Sequence, residues 1–327
     1  MNVALVGAGS MGRVHADAYR HLQDAQLVAV VDSDVQRGQA FADGWGVAWY
    51  PSLRACLATK AVDVVDICTP TAFHPALALE AFSAGLHVIC EKPIALTVEE
   101  AMRMIDAARR AGVHFYVAHV VRFFPEYEEA RRQIQSGRLG QVGTARLLRG
   151  GAAPQGWQGW YADPALSGTV ITDLMIHDFD FLAWTLGPVG RVFAKGARRH
   201  GAAVEHAFVS LRMQNGAMAL VEGTWAYPEG FRTAFEFAGT LGVLQYASDG
   251  DASLKIVRRS SPSDPLVTHV ESPIDVNPYQ RELQHFLACM RGAEAPRVKP
   301  EDALYALRVS LAAWESLRRG EPVEVTT

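Results

Sequence analysis

The first twelve residues constrain this chain more than any other stretch, because an apolar run leads directly into three closely spaced glycines. Val3 to Val6 has the pattern of a buried strand, Gly7-Ala8-Gly9-Ser10-Met11-Gly12 that of a turn, and Arg13 to Tyr19 that of a helix. The first glycine permits the tight turn, the second lets a pyrophosphate approach the backbone, and the third lets the helix pack close to the strand. Free N–H groups and the helix dipole favour an anion at the start of the helix. The stretch predicts a dinucleotide-binding turn; an ordinary strand-turn-helix with chance glycines is the alternative.

The acidic residue after the second apolar run indicates which dinucleotide is bound. Leu27 to Val31 ends in Asp32, twenty positions after Gly12, where a carboxylate can accept hydrogen bonds from an adenosine ribose. A carboxylate repels a 2′-phosphate, and Ser33 offers no charge to offset that repulsion. These residues predict NAD as the cofactor. Arg37 is a nearby cation, so NADP stays open as an alternative.

Length and composition narrow the class of protein. At 327 residues the chain exceeds the size at which one hydrophobic core usually keeps growing, so two domains are expected. Hydrophobic residues at 49% and charged residues at 20% are typical of a soluble globular protein, and no apolar run approaches a membrane span. A net charge of -4 gives no basic surface for nucleic acid. With no signal-peptide pattern at the N-terminus and four widely spaced cysteines, we expect a cytoplasmic protein with reduced thiols.

The order of strands and helices predicts an α/β protein with two domains. Strands alternate with helices over residues 1–120, which is typical of a doubly wound parallel sheet. Over residues 121–327 several strands follow one another, and Asn215-Gly216 is a strong hairpin turn. We expect this second, α+β domain to contain a mostly antiparallel sheet. The terminal helix, residues 300–319, has one apolar face and is a candidate to pack back on the first domain.

Lys92 is one candidate catalytic residue. Ligands of a doubly wound sheet gather at the carboxyl ends of its strands. We therefore expect the residues at those ends to converge on one crevice: Gly7, Asp32, Thr69, Lys92 and His119. Lys92 lies between Glu91 and Pro93, and a lysine there can polarise a substrate oxygen and favour its alkoxide-like form. A solvated turn lysine is the alternative, and the bond before Pro93 is a candidate cis peptide.

The segment from Thr169 to Trp184 contains the second candidate group. It has the pattern of a helix that is apolar nearly all round, yet Asp173, His177 and Asp180 fall at i, i+4 and i+7 and form one polar stripe. Buried ionisable groups are costly unless they are paired or face a wet cavity. We expect Asp173 to orient the imidazole of His177, which accepts a proton. A satisfied core histidine is one alternative. A metal site is another, but no further histidine or cysteine lies nearby at ligand spacing, so no metal is predicted.

Taken together, the motifs resemble those of the glucose-fructose oxidoreductase, inositol dehydrogenase and rhizopine-catabolism (Gfo/Idh/MocA) family. They are the glycine turn, Thr69-Pro70 with His74, Glu91-Lys92-Pro93, Arg122-Phe123 with Pro125, Trp160-Tyr161-Ala162-Asp163-Pro164, and Asp173 with His177 and Asp180. The resemblance implies a Rossmann domain followed by an open-sheet α/β domain, with NAD or NADP bound across the crevice. It implies dimers or tetramers joined through the open sheet. It also implies that Lys92, Asp173 and His177 form the catalytic group.

The predicted site combines these inferences. The cofactor contacts are Gly7, Gly9, Ser10, Met11, Gly12, Asp32, Ser33, Arg37, Thr69, Pro70, His74, Glu91 and Lys92. The substrate contacts are Arg122, Trp160 and Tyr279, for which an ion pair or ordinary aromatic packing is the alternative. The chain departs from the family pattern at Met175, where glycine is common and where a larger side chain could narrow the sugar site.

The resulting hypothesis is a nicotinamide-dependent dehydrogenase that acts on a secondary alcohol of a sugar, cyclitol or related polyol. We expect a small-molecule substrate, a homo-oligomer, and neither nucleic acid nor membrane as a partner. One alternative is an NAD-dependent glycosidase that uses transient oxidation with no net redox change. The other is a non-catalytic dinucleotide-binding regulator, which would keep the glycine turn without needing Lys92 or His177.

Overall fold

The computed structural model describes residues 1–197, 205–250, 254–259, 264, 267–271 and 277–326. Two sheets dominate it, and their strands occupy successive parts of the chain. The domain boundary predicted at residue 120 falls between the last strand of the first sheet and the first strand of the second. No helix among the described residues is long and apolar enough to cross a membrane.

The first sheet has six parallel strands with helices on both faces. Its strands are β1 (Asn2–Val6), β2 (Gln26–Val31), β3 (Ala48–Tyr50), β4 (Val64–Ile67), β5 (His87–Glu91) and β6 (Phe115–Ala118). The connecting helices are α1 (Ser10–Arg20), α2 (Val35–Trp45), α3 (Leu53–Leu57), α4 (His74–Ser83) and α5 (Val98–Ala111). The strand order is β3-β2-β1-β4-β5-β6, so the order reverses between β1 and β4, where doubly wound sheets bind ligands. The predicted parallel sheet is confirmed.

Alternate residues of β1 enter the two layers that cover this sheet. Val3 lies in a core with residues of α1, and Ala4 lies in a core with residues of α4 and α5. Burial on both faces explains why the strands read as continuous apolar runs rather than as alternating patterns. The helices begin where side chains cap them, as Asp34 does for α2 and Thr97 for α5.

The second sheet has nine strands and is mostly antiparallel, as predicted. The chain enters it after α6 (Pro125–Gln135). Its elements in chain order are β7 (Val142–Ala152), α7 (Pro164–Ser167), α8 (Thr169–Asp173), α9 (Ile176–Leu186), β8 (Val189–Ala197), β9 (His206–Met213), β10 (Met218–Thr224), β11 (Ala226–Gly239), β12 (Gly242–Ala247), β13 (Leu254–Arg258), β14 (Val267–Glu271), α10 (Pro278–Met290), α11 (Pro300–Arg319) and β15 (Val323–Glu324). The strand order is β14-β13-β12-β11-β7-β10-β9-β8-β15, and β7 with β10 is its parallel pair. One-turn 3-10 helices cover Thr71–Phe73 and Val120–Phe123, and a longer one covers Trp157–Ala162.

Helices cover one face of the second sheet, and the other face is exposed. The covered face packs against α6, α9 and α11. On the opposite face Phe208, Met218 and Leu220 are more than two-fifths exposed. This is the open sheet that the sequence predicted.

The terminal helix α11 contributes to both hydrophobic cores. Ala303 and Leu307 pack in the core beneath the parallel sheet. Val309 and Ala313 pack in the core of the second sheet. The helix therefore packs against both domains.

Candidate active site

A cavity of about 620 Å³ lies between the carboxyl ends of the parallel strands and the part of the second domain that contains residues 155–177. The predicted site residues that line it are Gly7, Gly9, Ser10, Met11, Asp32, Ser33, Arg37, Thr69, Pro70, Glu91, Lys92, Trp160, Asp173, His177 and Tyr279. Gly12, His74 and Arg122 lie outside its lining. The structure therefore brings most of the predicted cofactor and catalytic residues to one crevice.

The glycine turn has room for a ligand at its middle glycine. A Cβ atom on Gly7, whose φ is +105°, would lie 2.5 Å from the carbonyl oxygen of Cys68. A Cβ atom on Gly12 would lie 2.0 Å from the carbonyl oxygen of Gly7. At Gly9, by contrast, no heavy atom lies within 4 Å of that position. Since α1 begins at Ser10 with no side-chain cap, its first N–H groups suit a pyrophosphate at Gly9.

The carboxylate of Asp32 is held by four donors. The backbone N–H groups of Ala8 and Asp34 donate to it at 2.8 Å and 2.9 Å. Arg37 donates to both oxygens, from Nε at 2.9 Å and from Nη2 at 2.6 Å. The guanidinium thus offsets the carboxylate charge, and it also faces the ring of Trp157 at 5.6 Å. A ribose that binds here meets a paired aspartate rather than a free one.

Lys92 extends from the end of β5 to the second domain. Its Nζ donates to the carbonyl oxygen of Asp173 at 2.7 Å and to Oδ1 of Asp173 at 3.0 Å. The Lys92–Pro93 peptide bond is cis. The Lys92 side chain is only 15% exposed, so this ion pair is largely shielded from water. Lys92 is therefore a fixed ammonium on the cavity wall and not a solvated turn lysine.

His177 is the second residue of α9 and lies half-buried on the cavity wall. Burial, followed by the positive charge of Lys92, lowers the pKa of His177 well below its usual range. The imidazole is consequently neutral near neutral pH and can accept a proton. Its Nδ1 is buried and has no hydrogen-bond partner among the described residues.

The predicted stripe of Asp173, His177 and Asp180 is wrong, because the helix breaks between α8 and α9. The N–H of Met175 donates to the carbonyl oxygen of Val170, five residues earlier, at 2.9 Å. Such a bond ends α8 and changes the direction of the chain. Asp173 accepts hydrogen bonds from Lys92 instead, and within the described ranges it makes no hydrogen bond with the imidazole of His177. The expected orientation of His177 by Asp173 is thus not found.

Asp180, the third member of that stripe, pairs with Arg122. Arg122 donates from Nε to Oδ2 of Asp180 at 2.8 Å and from Nη2 to Oδ1 at 2.6 Å, and its Nη1 donates to Asp302 at 3.1 Å. Both Arg122 and Asp180 are buried. Arg122 therefore lies in an ion pair between elements, which was the alternative to its predicted substrate contact.

Three further residues that the sequence singled out lie outside the cavity lining. His74 contacts the carbonyl oxygens of Thr69 and Pro93, each at 2.9 Å, and so connects the turns after β4 and β5. Met175 packs against Gly223 of β10 and does not narrow the cavity. His119 is buried, with its Nδ1 3.7 Å from Asp180, and it does not reach the crevice.

Comparison with known protein families fits this arrangement over most of the chain. Residues 1–119 match a family model described as an oxidoreductase family with an NAD-binding Rossmann fold. Residues 127–245 match the GFO/IDH/MocA C-terminal domain. The chain belongs to the Gfo/Idh/MocA family. It is an oxidoreductase of this family, and its first domain is an NAD-binding Rossmann domain.

Similar proteins in the family match between about half and nearly all of the chain. The scyllo-inositol 2-dehydrogenase (NAD(+)) of Bacillus subtilis is 28% identical over 335 residues, which cover 98% of this chain and 95% of that protein. The D-glucoside 3-dehydrogenase of Escherichia coli is 38% identical over 192 residues, or 57% of this chain and 54% of that protein. A solved structure of levoglucosan dehydrogenase in complex with NADH is 22% identical, with a TM-score of 0.89 over 100% of this chain and 99% of that one. The last likeness shows the same fold.

Three aromatic residues that line this Gfo/Idh/MocA cavity were not among the predicted site residues: Phe73, Trp157 and Tyr161. Tyr161 lines the wall and stacks on Trp160, with ring centroids 3.9 Å apart. Trp157 faces Arg37 from the second domain. Trp157 and Tyr161 belong to a cluster of aromatic residues after β7, and Tyr161 is part of the family motif that begins at Trp160, but only Trp160 of this cluster was predicted as a contact.

Proposed function

We propose that this chain is a dehydrogenase that oxidises a secondary alcohol of a sugar, cyclitol or related polyol. The observation that carries the proposal is the position of Lys92 and His177 on the cavity that contains the glycine turn. When bound there, NAD supplies the acceptor for the hydride that leaves the alcohol carbon. The remaining tasks, which are to stabilise the alcohol oxygen and to accept its proton, belong to Lys92, Asp173 and His177.

Lys92 is placed to stabilise the alcohol oxygen as it loses its proton. An ammonium group has three N–H donors, and Asp173 accepts two of them. One donor remains for a substrate oxygen. In a shielded cavity a fixed positive charge stabilises an alkoxide-like oxygen more strongly than it does in water.

His177 is the proton acceptor in this scheme. Its lowered pKa, caused by burial and then by the charge of Lys92, keeps the imidazole unprotonated before the reaction. General base catalysis of this kind is typically worth ~10²- to 10⁴-fold in rate. We assign Asp173 a role different from the predicted one. It holds the Lys92 ammonium in place and does not orient the imidazole of His177.

The aromatic end of the cavity supports a sugar-like substrate. Trp160, Tyr161 and Tyr279 line the same cavity as Asp173 and His177. Aromatic faces can pack on the C–H face of a sugar ring while a phenol hydroxyl donates to an oxygen. Burial, then the charge of Glu91, raises the pKa of Tyr279 to about 12, so its hydroxyl keeps the proton that it would donate. The inositol and glucoside dehydrogenases among the relatives support the same substrate class.

The pairing of Asp32 with Arg37 defines a test of cofactor choice. We propose that NAD binds more tightly than NADP, because the carboxylate of Asp32 remains at the ribose site. Calorimetric titration of both dinucleotides against the wild type and Arg37→Ala measures this directly. Arg37→Ala should weaken NADP binding more than NAD binding. Tighter NADP binding by the wild type would overturn the choice of NAD.

We further propose a homodimer or homotetramer joined through the open sheet, working in the cytoplasm. The exposed side chains of Phe208, Met218 and Leu220 support the assembly, since a patch of this kind favours association. The free, buried state of the four cysteines supports a reducing compartment. Light scattering tests this interface by comparing the molar mass of the wild type with that of Leu220→Glu. If both proteins have the same mass, the interface lies elsewhere.

The decisive experiment is a screen of polyols, sugars and sugar acids, with and without phosphate, for NADH formation. Wild type, Lys92→Ala and His177→Ala are compared, with exposed Lys60→Ala as the matched control. Turnover that both active-site changes abolish and Lys60→Ala retains supports the proposal. Sugar release without accumulated NADH would instead indicate the glycosidase. Near wild-type turnover in both active-site variants would refute the mechanism.

A further inference from the structure

A buried cluster lies directly behind the turn that holds Lys92. His15 of α1 is fully buried, and its Nδ1 lies 2.8 Å from Oδ2 of Asp66 on β4. Its Nε2 lies 3.1 Å from Oε1 of Glu91 at the end of β5. Tyr19, one turn further along α1, donates its hydroxyl to the same oxygen of Asp66 at 2.9 Å. One imidazole thus connects the dinucleotide-binding helix to two strands.

The charges of this cluster are set by its geometry. An imidazole between two carboxylates can donate to both only when both of its nitrogens carry a proton. Burial works against that form, but the charge and hydrogen bond of Asp66 outweigh it and raise the pKa of His15 well above its usual range. Burial likewise works to raise the pKa of Glu91, yet the hydrogen bond and charge of His15 lower it overall. The two contacts and the raised pKa of His15 therefore favour an imidazolium between the two acidic side chains.

Glu91 connects this cluster to the backbone of Lys92. One of its oxygens faces His15, and the other, Oε2, accepts the N–H of Lys92 at 3.0 Å. The carboxylate therefore folds back over the turn and fixes the peptide from which the Lys92 side chain leaves. From that peptide, Nζ reaches the two oxygens of Asp173 in the other domain. Hydrogen bonds therefore connect α1 to the backbone of Lys92, and the Lys92 side chain continues from there to the ammonium.

We propose that His15 is a positioning residue for Lys92, acting through the carboxylate of Glu91. The inference rests on the proposed function, because it concerns the geometry of the lysine that the reaction uses. His15 does not line the cavity, so it touches neither substrate nor cofactor. Its two nitrogens have separate tasks: Nδ1 fastens α1 to β4 through Asp66, and Nε2 holds Glu91 and with it the turn.

Two substitutions at His15 separate these tasks. The amide of asparagine lies near the place of Nδ1, so His15→Asn keeps a donor toward Asp66 and loses the one toward Glu91. The longer His15→Gln places its amide near Nε2 and keeps the donor toward Glu91. Misplacement of a catalytic group by about 1 Å can cost about 10²-fold in rate. We expect His15→Asn to lower kcat at least tenfold more than His15→Gln does, with similar NAD affinity and similar KM in both.

A measurement independent of turnover follows the lysine itself. The chain has five lysines, so acetylation of each can be quantified by mass spectrometry in the full-length protein. Lys92 is shielded in its pair with Asp173, and exposed Lys60 serves as the internal reference. His15→Asn should raise the labelling rate of Lys92 relative to Lys60, and His15→Gln should not. Equal rates in the two variants would overturn the proposal, even if no substrate has been found.

A second variant covers the case in which His15→Asn does not fold. Glu91→Ala removes the connection from the other side and should raise Lys92 labelling in the same way; an unchanged rate would overturn the proposal. Where both single variants fold, the double variant should show no further loss in kcat, because both changes break one path. Additive losses would show that His15 acts by another route. Absence of turnover in the wild type refutes the proposed function and not the role of His15. In that case the labelling rate of Lys92 by itself decides whether His15 positions the lysine.

Discussion

Gly9→Ala should separate folding of the first domain from NAD binding. The backbone at Gly9 has φ -78° and ψ -163°, which alanine adopts without strain, and the new methyl group meets no heavy atom within 4 Å. Two small effects oppose each other. Alanine is a poorer N-cap than glycine, but it reduces the entropy of the unfolded chain by an amount worth about 0.4–1 kcal/mol. The free energy of unfolding without ligand should therefore stay within about 1 kcal/mol of wild type.

NAD binding should suffer, because the methyl group occupies the space through which the pyrophosphate approaches α1. A tightly packed extra methyl costs about 1–3 kcal/mol, which corresponds to an affinity about 5- to 150-fold weaker. NAD at a hundred times its wild-type Kd stabilises the wild type by about 2.7 kcal/mol. If the affinity falls a hundredfold, the same concentration stabilises the variant by only about 0.4 kcal/mol.

The assay is chemical unfolding with and without NAD, supported by calorimetric titration. Gly12→Ala is the matched control, since its Cβ would lie 2.0 Å from the carbonyl oxygen of Gly7. That change should destabilise the ligand-free protein by about 1–3 kcal/mol. Wild-type NAD affinity in a normally folded Gly9→Ala protein would show that the pyrophosphate does not approach this glycine, and the placement of the cofactor would be wrong.

Three further predictions concern the catalytic roles of Lys92 and His177, the pKa of His177, and the ion pair of Arg122 with Asp180. Lys92→Ala and His177→Ala should each lower kcat by about 10²- to 10⁴-fold and leave NAD affinity close to wild type in calorimetry; a loss of affinity alone would contradict their catalytic roles. Since burial and then the charge of Lys92 lower the pKa of His177, the acid limb of kcat/KM should lie well below pH 6.5. Lys92→Met should raise the pKa of His177 in an NMR titration, and an unchanged value would contradict the assigned cause. Arg122→Met removes the arginine that pairs with the buried Asp180 and should lower the free energy of unfolding in urea by about 3–5 kcal/mol without changing KM; a raised KM with full stability would restore the predicted substrate role of Arg122.

The sequence predicted the parts of the fold that short-range chemistry determines. The apolar run of β1, the glycines after it and Asp32 at the end of β2 lie close together in the chain, so their spacing carries the geometry directly. The same is true of the hairpin at Asn215-Gly216, which connects β9 to β10. Local patterns of this kind were sufficient to predict both sheets and the crevice.

The site was predicted less well where a contact depends on distant residues. Lys92 and Asp173 are 81 positions apart, and only the docking of the two domains brings them together. The i, i+4 spacing of Asp173 and His177 assumed one continuous helix, and the bond from Met175 to Val170 breaks that helix. His15 was considered only as part of a helix, because nothing in its neighbourhood along the chain reveals Asp66 or Glu91.

The contacts that form the site are also contacts that join the domains. Lys92 at the end of β5 pairs with Asp173 of α8, and Arg37 of α2 faces the ring of Trp157 in the second domain. A cavity at such a junction has one wall that binds the dinucleotide and another that presents the substrate. Because the ammonium of Lys92 is held by the second domain, any change that shifts the domains by an ångström shifts the catalytic charge as well. We therefore expect turnover to depend on the docking of the two domains more steeply than NAD affinity does, since the glycine turn lies wholly within the first domain.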